Sequence, residues 1–365
     1  MQLLKFELYK LFKQKIIYIT FFLLIIFSTG FTFETTTDSE RELYKQWEGS
    51  ITEETLQQAE IESNKITKKI EGLEFGIPLS ENEQIKYGIY ENIAFIQGSQ
   101  RNREEKLKQL ENENNYNTKL EQEMITKVDR PYFSYSKAPM EIIDYASFYA
   151  IFITGAMLLI GLSSIYTNET SSGTDNYILS SKKGRNSLAW AKITASLIFT
   201  VIVVLAWEVF NIGINFIKFG IGDWQTPIQN MFKYFFSPYG LNMFDFHLIQ
   251  LSTHLLAAFC FALLIILVSS VSKNSLISFL INGVIFAIPI MFVETVMMPN
   301  WLRDVFSFSF IYLMKVEFLF EGFKTVNLFG FPVIYPILAV IWMIVMSIVF
   351  VMLTLQVIKN KEVMI

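Results

Sequence analysis

Four ionisable side chains in apolar surroundings are the first candidates for chemistry: Glu208, Glu294, His247 and His254. Such a group is costly to bury in hydrocarbon, so it marks a pathway or gate unless it sits at a hydrated end. Glu208 and Glu294 fall toward the ends of two apolar runs, where a gating pair and interfacial placement are both open. Pro289, a turn or two after Asn282 and Gly283, is expected to kink the run that carries Glu294. The two histidines stand seven residues apart and share a helix face. Two ligands are too few for a metal site, so packed or interfacial imidazoles are expected and no metal. Cys260 is the only cysteine, and no GxSxG or HExxH occurs, which argues against a thiol redox pair, a hydrolase elbow and a zinc protease. A phosphate-binding GxxxxGK[ST] loop is also missing. The chain reads as a non-enzyme with no catalytic residue and no directly bound cofactor.

The elements that must hold these residues follow from the distribution of charge. Of 365 residues, 52% are hydrophobic and 18% charged, with a mean hydropathy of +0.37. A soluble domain carries about 25% charged residues. Residues 34–140 hold 14 of the 30 Lys/Arg and 21 of the 34 Asp/Glu, a net charge of −7; the remainder carries +3. A water-soluble segment is therefore set into an apolar body. The composition disfavours a nucleic-acid binder, a disulfide scaffold and a soluble enzyme.

A bilayer core needs about 20 apolar residues as helix. Six runs qualify: 16–33, 145–167, 188–210 or slightly beyond, 248–271, 275–298 and 333–358. With both termini on the cytoplasmic side, eleven short-flank cations lie inside (Lys5, Lys10, Lys13, Lys15, Lys182, Lys183, Arg185, Lys192, Lys273, Lys359, Lys361) and five outside (Lys218, Lys233, Arg303, Lys315, Lys324). That bias places residues 34–140 outside the cell, between the first and second spans. The fold class is an all-α membrane protein with six transmembrane helices.

Residues 1–33 comprise an amphipathic helix and the first span. Leu4, Leu8, Leu11 and Phe12 recur at helical spacing, with Lys5, Glu7, Lys10 and Lys13 mostly elsewhere, as in a helix lying on the inner membrane surface. A cleaved signal peptide is the rival reading, given Ser28-Thr29-Gly30, but the apolar run is longer than such segments carry. In 34–140, apolar residues recur helically at Leu43/Trp47/Ile51, Ile66/Ile70/Leu73, Ile85/Ile89/Ile93/Ile96 and Leu107/Leu110. The Gly76–Ser80 break, with Ser80 and Glu83 as a capping box, predicts a helical hairpin or coiled-coil-like domain. It is either a receptor or gate, or a spacer between two spans. Residues 141–365 carry spans 2 to 6.

The loop 168–187 reads Asn-Glu-Thr-Ser-Ser-Gly-Thr-Asp-Asn-Tyr-Ile-Leu-Ser-Ser-Lys-Lys-Gly-Arg-Asn-Ser, with Lys192 shortly after. It resembles the cytoplasmic loop of ABC type-2 permeases, the membrane subunits of ATP-binding-cassette exporters. In that family a Glu ends the second span, Gly-Thr follows, then a short helix with an apolar pair, a basic residue, and a Lys opening the third span. Glu169, Gly173 and Thr174, Ile178 and Leu179, Arg185 and Lys192 take those places. Tyr177, Ile178 and Leu179, flanked by Lys182, Lys183 and Arg185, form a surface able to dock into a groove of a separate ATPase. The resemblance also implies a short re-entrant segment before the last span, which suits 305–320, where Lys315 and Glu317 interrupt an aromatic stretch. Two departures stand out: Ser180-Ser181 where the family often has a Pro, and a large domain where the first external loop is often short.

What the resemblance implies is a permease subunit in a bacterial plasma membrane, with both termini cytoplasmic. It would work with cytoplasmic ABC ATPase subunits that use ATP and Mg, and with a second permease copy or a paralogous permease. Export of hydrophobic peptide, antibiotic or lipid-like cargo is the leading expectation, because Trp224, Phe232, Tyr234, Phe235, Phe236 and Tyr239 offer an apolar exit surface; interfacial aromatic belts are the plainer account of the same residues. Two rivals remain: a non-transporting ABC-linked protein that relays ATPase motion to the external domain, and a membrane receptor or sensor.

Overall fold

Charge density sorts the helices into two sets that occupy opposite ends of the molecule. The computed structural model describes residues 2–29, 35–72, 79–113, 115–174, 184–295, 299–328 and 330–361. In chain order the elements are α1 (Gln2–Phe12), α2 (Lys15–Ser28), α3 (Asp38–Trp47), β1 (Gly49–Ser50), α4 (Glu53–Glu71), α5 (Glu81–Leu110), α6 (Tyr116–Ile125) and β2 (Tyr132–Phe133). There follow α7 (Lys137–Leu162), α8 (Thr167–Ser171), α9 (Gly184–Phe219), α10 (Met243–Val271) and α11 (Ser275–Thr295). The chain then forms α12 (Asn300–Ser307), α13 (Phe310–Lys315), α14 (Glu317–Phe320), β3 (Thr325–Leu328), β4 (Phe331–Ile334) and α15 (Tyr335–Asn360).

Among the described residues five helices (α7 continuing into α8, α9, α10, α11 and α15) are long and apolar enough to cross a membrane. A sixth crossing results if α1 and α2, bent by 55° at the break between them, count as one span. Their boundaries differ from the sequence reading: α7 starts at Lys137 and α10 at Met243, ahead of the expected 145 and 248, and α9 and the approach to the last span differ as well. Helix α9 runs to Phe219 without a break and contains Arg185 in its first turn, so at about 1.5 Å per residue it is a rod of about 54 Å. Before the last span, residues 331–334 are strand: β4 pairs antiparallel with β3, turning at Gly330 with φ 94°. The β-branched Val333 and Ile334 favour that ribbon, and Pro336, at the start of α15, begins the helix without losing an internal hydrogen bond. These ribbons, with β1–β2, are exceptions to the expected all-helical fold.

Within the bundle the helices approach through glycines, as small residues allow. A Cβ on Gly161 would stand 2.7 Å from the Phe199 ring, and one on Gly155 would overlap the Phe286 ring. Leu4, Leu8 and Phe12 of α1 turn toward the same core, with Phe12 5.8 Å from Phe199. Leu3, Phe6 and Tyr9 on the other side are exposed, so α1 is apolar on two sides. Residues 305–320 form three short helices rather than a span, and Phe310–Met314 are buried among the longer ones.

The polar segment builds its own core from Ala59, Ile89, Tyr90, Ile93, Ile96 and Phe133, joined by Leu43, Trp47, Ile51, Ile66 and Ile85. All but Ala59, Tyr90 and Phe133 are periodic residues of its sequence; of the other periodic positions Ile70 is exposed and Leu73 lies outside the described residues. Helix α5 starts at the expected cap: the Glu83 carboxylate accepts the Ser80 N–H at 3.2 Å and the Ser80 hydroxyl at 2.6 Å. The segment does not stand off from the bundle. Ser99 donates to the Phe235 carbonyl at 2.9 Å, Asn230 to the Tyr132 carbonyl at 3.0 Å, and Phe95 packs on Phe235.

Candidate functional site

At the pole that carries α1, four charged side chains from three separate parts of the chain meet. Lys192, one turn inside the apolar part of α9, is fully buried. An ammonium has three donors, and Lys192 Nζ uses them on Glu7 Oε2 at 3.0 Å, Glu169 Oε1 at 2.9 Å and the Ile165 carbonyl at 2.7 Å. Lys10 closes the ring, 2.9 Å from Glu7 Oε1 and 2.7 Å from Glu169 Oε1. Two cations and two carboxylates balance, and the Tyr166 ring lies 5.1 Å from Lys192 Nζ. Burial of such charges is tolerable only because each is paired and hydrogen-bonded.

Each member is delivered by a local feature of the chain. Glu7 and Lys10 stand one turn apart on α1; Glu169 sits in the single turn of α8; Lys192 projects from α9. The cluster therefore ties the N-terminal helix to both helices that flank loop 168–187. Ser269 at the far end of α10 also joins, donating to the Ser163 carbonyl at 3.0 Å and accepting from Tyr166 N–H at 3.2 Å. The end of α15 reaches the same loop: Lys361 donates to the Thr170 hydroxyl at 3.0 Å and Arg185 to the Lys359 carbonyl at 2.5 Å. Both described ends of the chain thus lie at one pole. Beside the cluster a groove of about 800 Å³ is lined by Phe6, Lys10, Lys13, Asn168, Glu169 and Thr174 among others.

The structure brings together only part of the expected loop site. Glu169 is buried in the cluster, Thr174 and Gly173 follow it, and Arg185 is bonded to α15. Gly173 adopts φ 68°, a conformation that a side chain strains, in open space. Tyr177, Ile178, Leu179, Lys182 and Lys183 lie outside the described residues. Glu7 and Lys10 correct the reading of α1, which put its charges largely on a free polar face: Glu7 is 2% exposed. A single acid in a helix whose other charges are all basic was the available signal, and its partner Lys192 was invisible because it lies 185 residues away.

A second polar seam runs through the opposite half of the bundle. Glu208 lies 2.7 Å from His247 Nε2, and His247 Nδ1 lies 3.1 Å from Gln250 Oε1. Both are buried, so Glu208 is not at a hydrated end. Glu294 is in the last turn of α11, with its side chain outside the described residues. Pro289 sits inside α11 and lines an apolar cavity of about 630 Å³ with Cys260, Phe306, Trp342 and Met343. Among the described residues no cluster of His, Cys, Asp or Glu could hold a metal ion.

Above this seam the outer aromatic loop is clamped. Lys233 pairs with Asp144 at 3.0 Å and Glu317 at 3.4 Å. Burial works against its charge, but the two carboxylates prevail and hold its proton more tightly than usual. Next to Glu317, Val316 is buried with φ 62°, an outlier for a β-branched residue. Tyr234 and Tyr239 are buried and Phe232 and Phe236 exposed, so the expected apolar exit surface is only partly surface.

Long apolar helices, a polar domain at one pole and a buried charge cluster at the other define a multi-pass helical membrane protein. The family model described as ABC-2 family transporter protein matches residues 1–363. The chain belongs to that family, and is therefore an ABC transporter permease of the class whose ATPase is a partner subunit. No curated protein and no solved structure matched the chain.

Proposed function

We propose that this chain is the permease subunit of an exporter in a bacterial plasma membrane, with the α1 pole cytoplasmic and residues 34–140 extracellular. A cytoplasmic ATPase binding ATP and Mg would engage loop 168–187 through Tyr177, Ile178, Leu179, Lys182, Lys183 and Arg185. The observation that carries this reading is the Glu7–Lys10–Glu169–Lys192 cluster. A push on the loop meets a four-charge junction centred on buried Glu7 and Lys192 instead of a hinge, so it moves α1, α7 and α9 together. A second copy or a paralogous permease would complete the path. Hydrophobic peptide, antibiotic or lipid-like cargo fits the apolar lining around Pro289 and the aromatic loop beyond it.

The relay reading has one specific observation behind it. The polar domain touches the outer loop at Ser99 and Phe95, and that loop is held to α7 and α14 through Lys233. Motion of the bundle would reach the domain without any cargo.

The test is co-expression with the ATPase genes that neighbour this one, followed by purification through the permease and measurement of ATP hydrolysis. A complex is expected, with hydrolysis lost when Gly173→Trp and Leu179→Asp are combined. Recovery of no ATPase, or normal coupling in that double variant, overturns the assignment of the loop.

A further inference from the structure

We propose that Glu208 and His247 together bind one proton beyond that of a neutral imidazole, forming an electroneutral site buried between α9 and α10. The inference needs no assumption about cargo or ATPase. It follows from accounting for the hydrogen atoms around Gln250, which lies between His247 and α7.

The Gln250 amide nitrogen is 3.0 Å from the Ile143 carbonyl oxygen and 2.9 Å from the Ser147 hydroxyl. A carbonyl only accepts, so the amide nitrogen must be the atom facing it, and Gln250 Oε1 faces the imidazole. That oxygen also only accepts. His247 Nδ1, 3.1 Å away, therefore carries a hydrogen. On the other side of the ring, Nε2 stands 2.7 Å from Glu208 Oε1. With Nδ1 already protonated, this contact needs one more proton. It resides on Nε2, giving imidazolium beside carboxylate, or on Oε1, giving a carboxylic acid that donates to the neutral ring. The count is the same in both forms, and the pair is neutral overall. Without that proton a bare nitrogen would face a carboxylate, and a negative charge would stand alone among apolar helices.

Among the described residues the surroundings offer no other way to balance the charge. The Asn211 amide is 3.4 Å from Glu208 Oε2 and contributes a dipole only. On α7 the Tyr145 hydroxyl is shared with Ser28 of α2 at 2.8 Å. From the loop after α9, Trp224 lies 5.9 Å from the His247 ring. Asp144 and Lys233 pair with each other, and Asp245 is exposed at the start of α10. Among the described residues His247 is the one group able to be a cation within ion-pair range of Glu208.

His254, a neighbouring titratable group on α10, is satisfied as a neutral ring. Its Nδ1 is 3.1 Å from the Met314 carbonyl, which accepts, and its Nε2 is 2.9 Å from Thr154 Oγ1. That oxygen takes the Trp207 indole N–H at 3.1 Å, leaving its own hydrogen for His254. The chain has only these two histidines. One therefore serves as an internal standard for the other.

The experiment is nitrogen NMR of the full chain, labelled at histidine and reconstituted in lipid nanodiscs, with infrared spectra of glutamate-labelled protein alongside. At neutral pH His254 is expected as the neutral Nδ1–H tautomer. His247 is expected either protonated on both nitrogens, or as an Nδ1–H ring accompanied by a carboxylic-acid carbonyl band that disappears in Glu208→Gln. A His247 carrying one proton beside an ionised Glu208 overturns the proposal. The decisive spectra are those of the wild-type chain, so the result stands even if Glu208→Gln does not fold.

Discussion

Lys192 shows how much a single residue carries at the α1 pole. All three of its donors are used, and no solvent reaches it. Breaking a buried pair from one side costs about 3–5 kcal/mol, because the remaining charges lose their balance. Lys192→Met is expected to lower the unfolding free energy of the purified chain by about that amount. Glu7→Gln in the same chain should restore part of the loss, since it removes one of two carboxylates left facing a single lysine. Thermal unfolding of the four members of this double-mutant cycle measures the coupling; additive losses would mean that Glu7 and Lys192 do not share one network. Glu169 and Lys192 were legible in the sequence because they flank a loop whose pattern resembles a family. The bonds from Glu7 to Lys192 and from His247 to Glu208 were not, since local spacing says nothing about a partner more than a hundred residues away or one helix over.

Periodicity served the elements well where a single face is buried. Ile85, Ile89, Ile93 and Ile96 lie on one side of α5 and all contact the domain core. It served less well at ends, where Arg185 continues α9 inward and Val333 extends a ribbon instead of opening a span. The cap of α5 is an element whose strength can be tested by pH. Hydrogen bonds from Lys69 and Ser80 hold the Glu83 carboxyl at about 2, below its ordinary value of 4.5. A group depressed in the folded state stabilises above its unfolded value, and that contribution is lost as pH falls through the folded one. The domain should therefore keep its stability down to about pH 4.5 and lose this share between there and about 2. Trp47, edge-on to Tyr90 at 5.0 Å, reports unfolding of the domain core. Glu83→Gln should flatten this part of the profile, and an unchanged profile would show that the cap contributes nothing measurable.

At the scale of the whole molecule, α9 joins the two polar centres. Lys192 and Glu208 lie on the same helix about 24 Å apart by helical rise, so a displacement imposed at the loop is carried by one rod to the seam. From the seam it reaches Gln250 and α7, then Asp144, Lys233 and the loop on which α5 rests. Under the coupling proposed above, this continuity predicts that the polar domain moves with the bundle, as neither a spacer nor a static cap would. A cross-link tests it. A Cβ at Gly98 would lie 3.7 Å from the Phe235 ring, so cysteines at these two positions, in a Cys260→Ser background, can fasten α5 to the loop with a short bifunctional reagent. If the domain shifts during turnover, the fastened complex should hydrolyse ATP more slowly than the unfastened one by roughly 5- to 150-fold, the span of couplings of about 1–3 kcal/mol. Equal rates would leave the domain a rigid cover, and the chain of contacts from loop to domain would then end at Lys233.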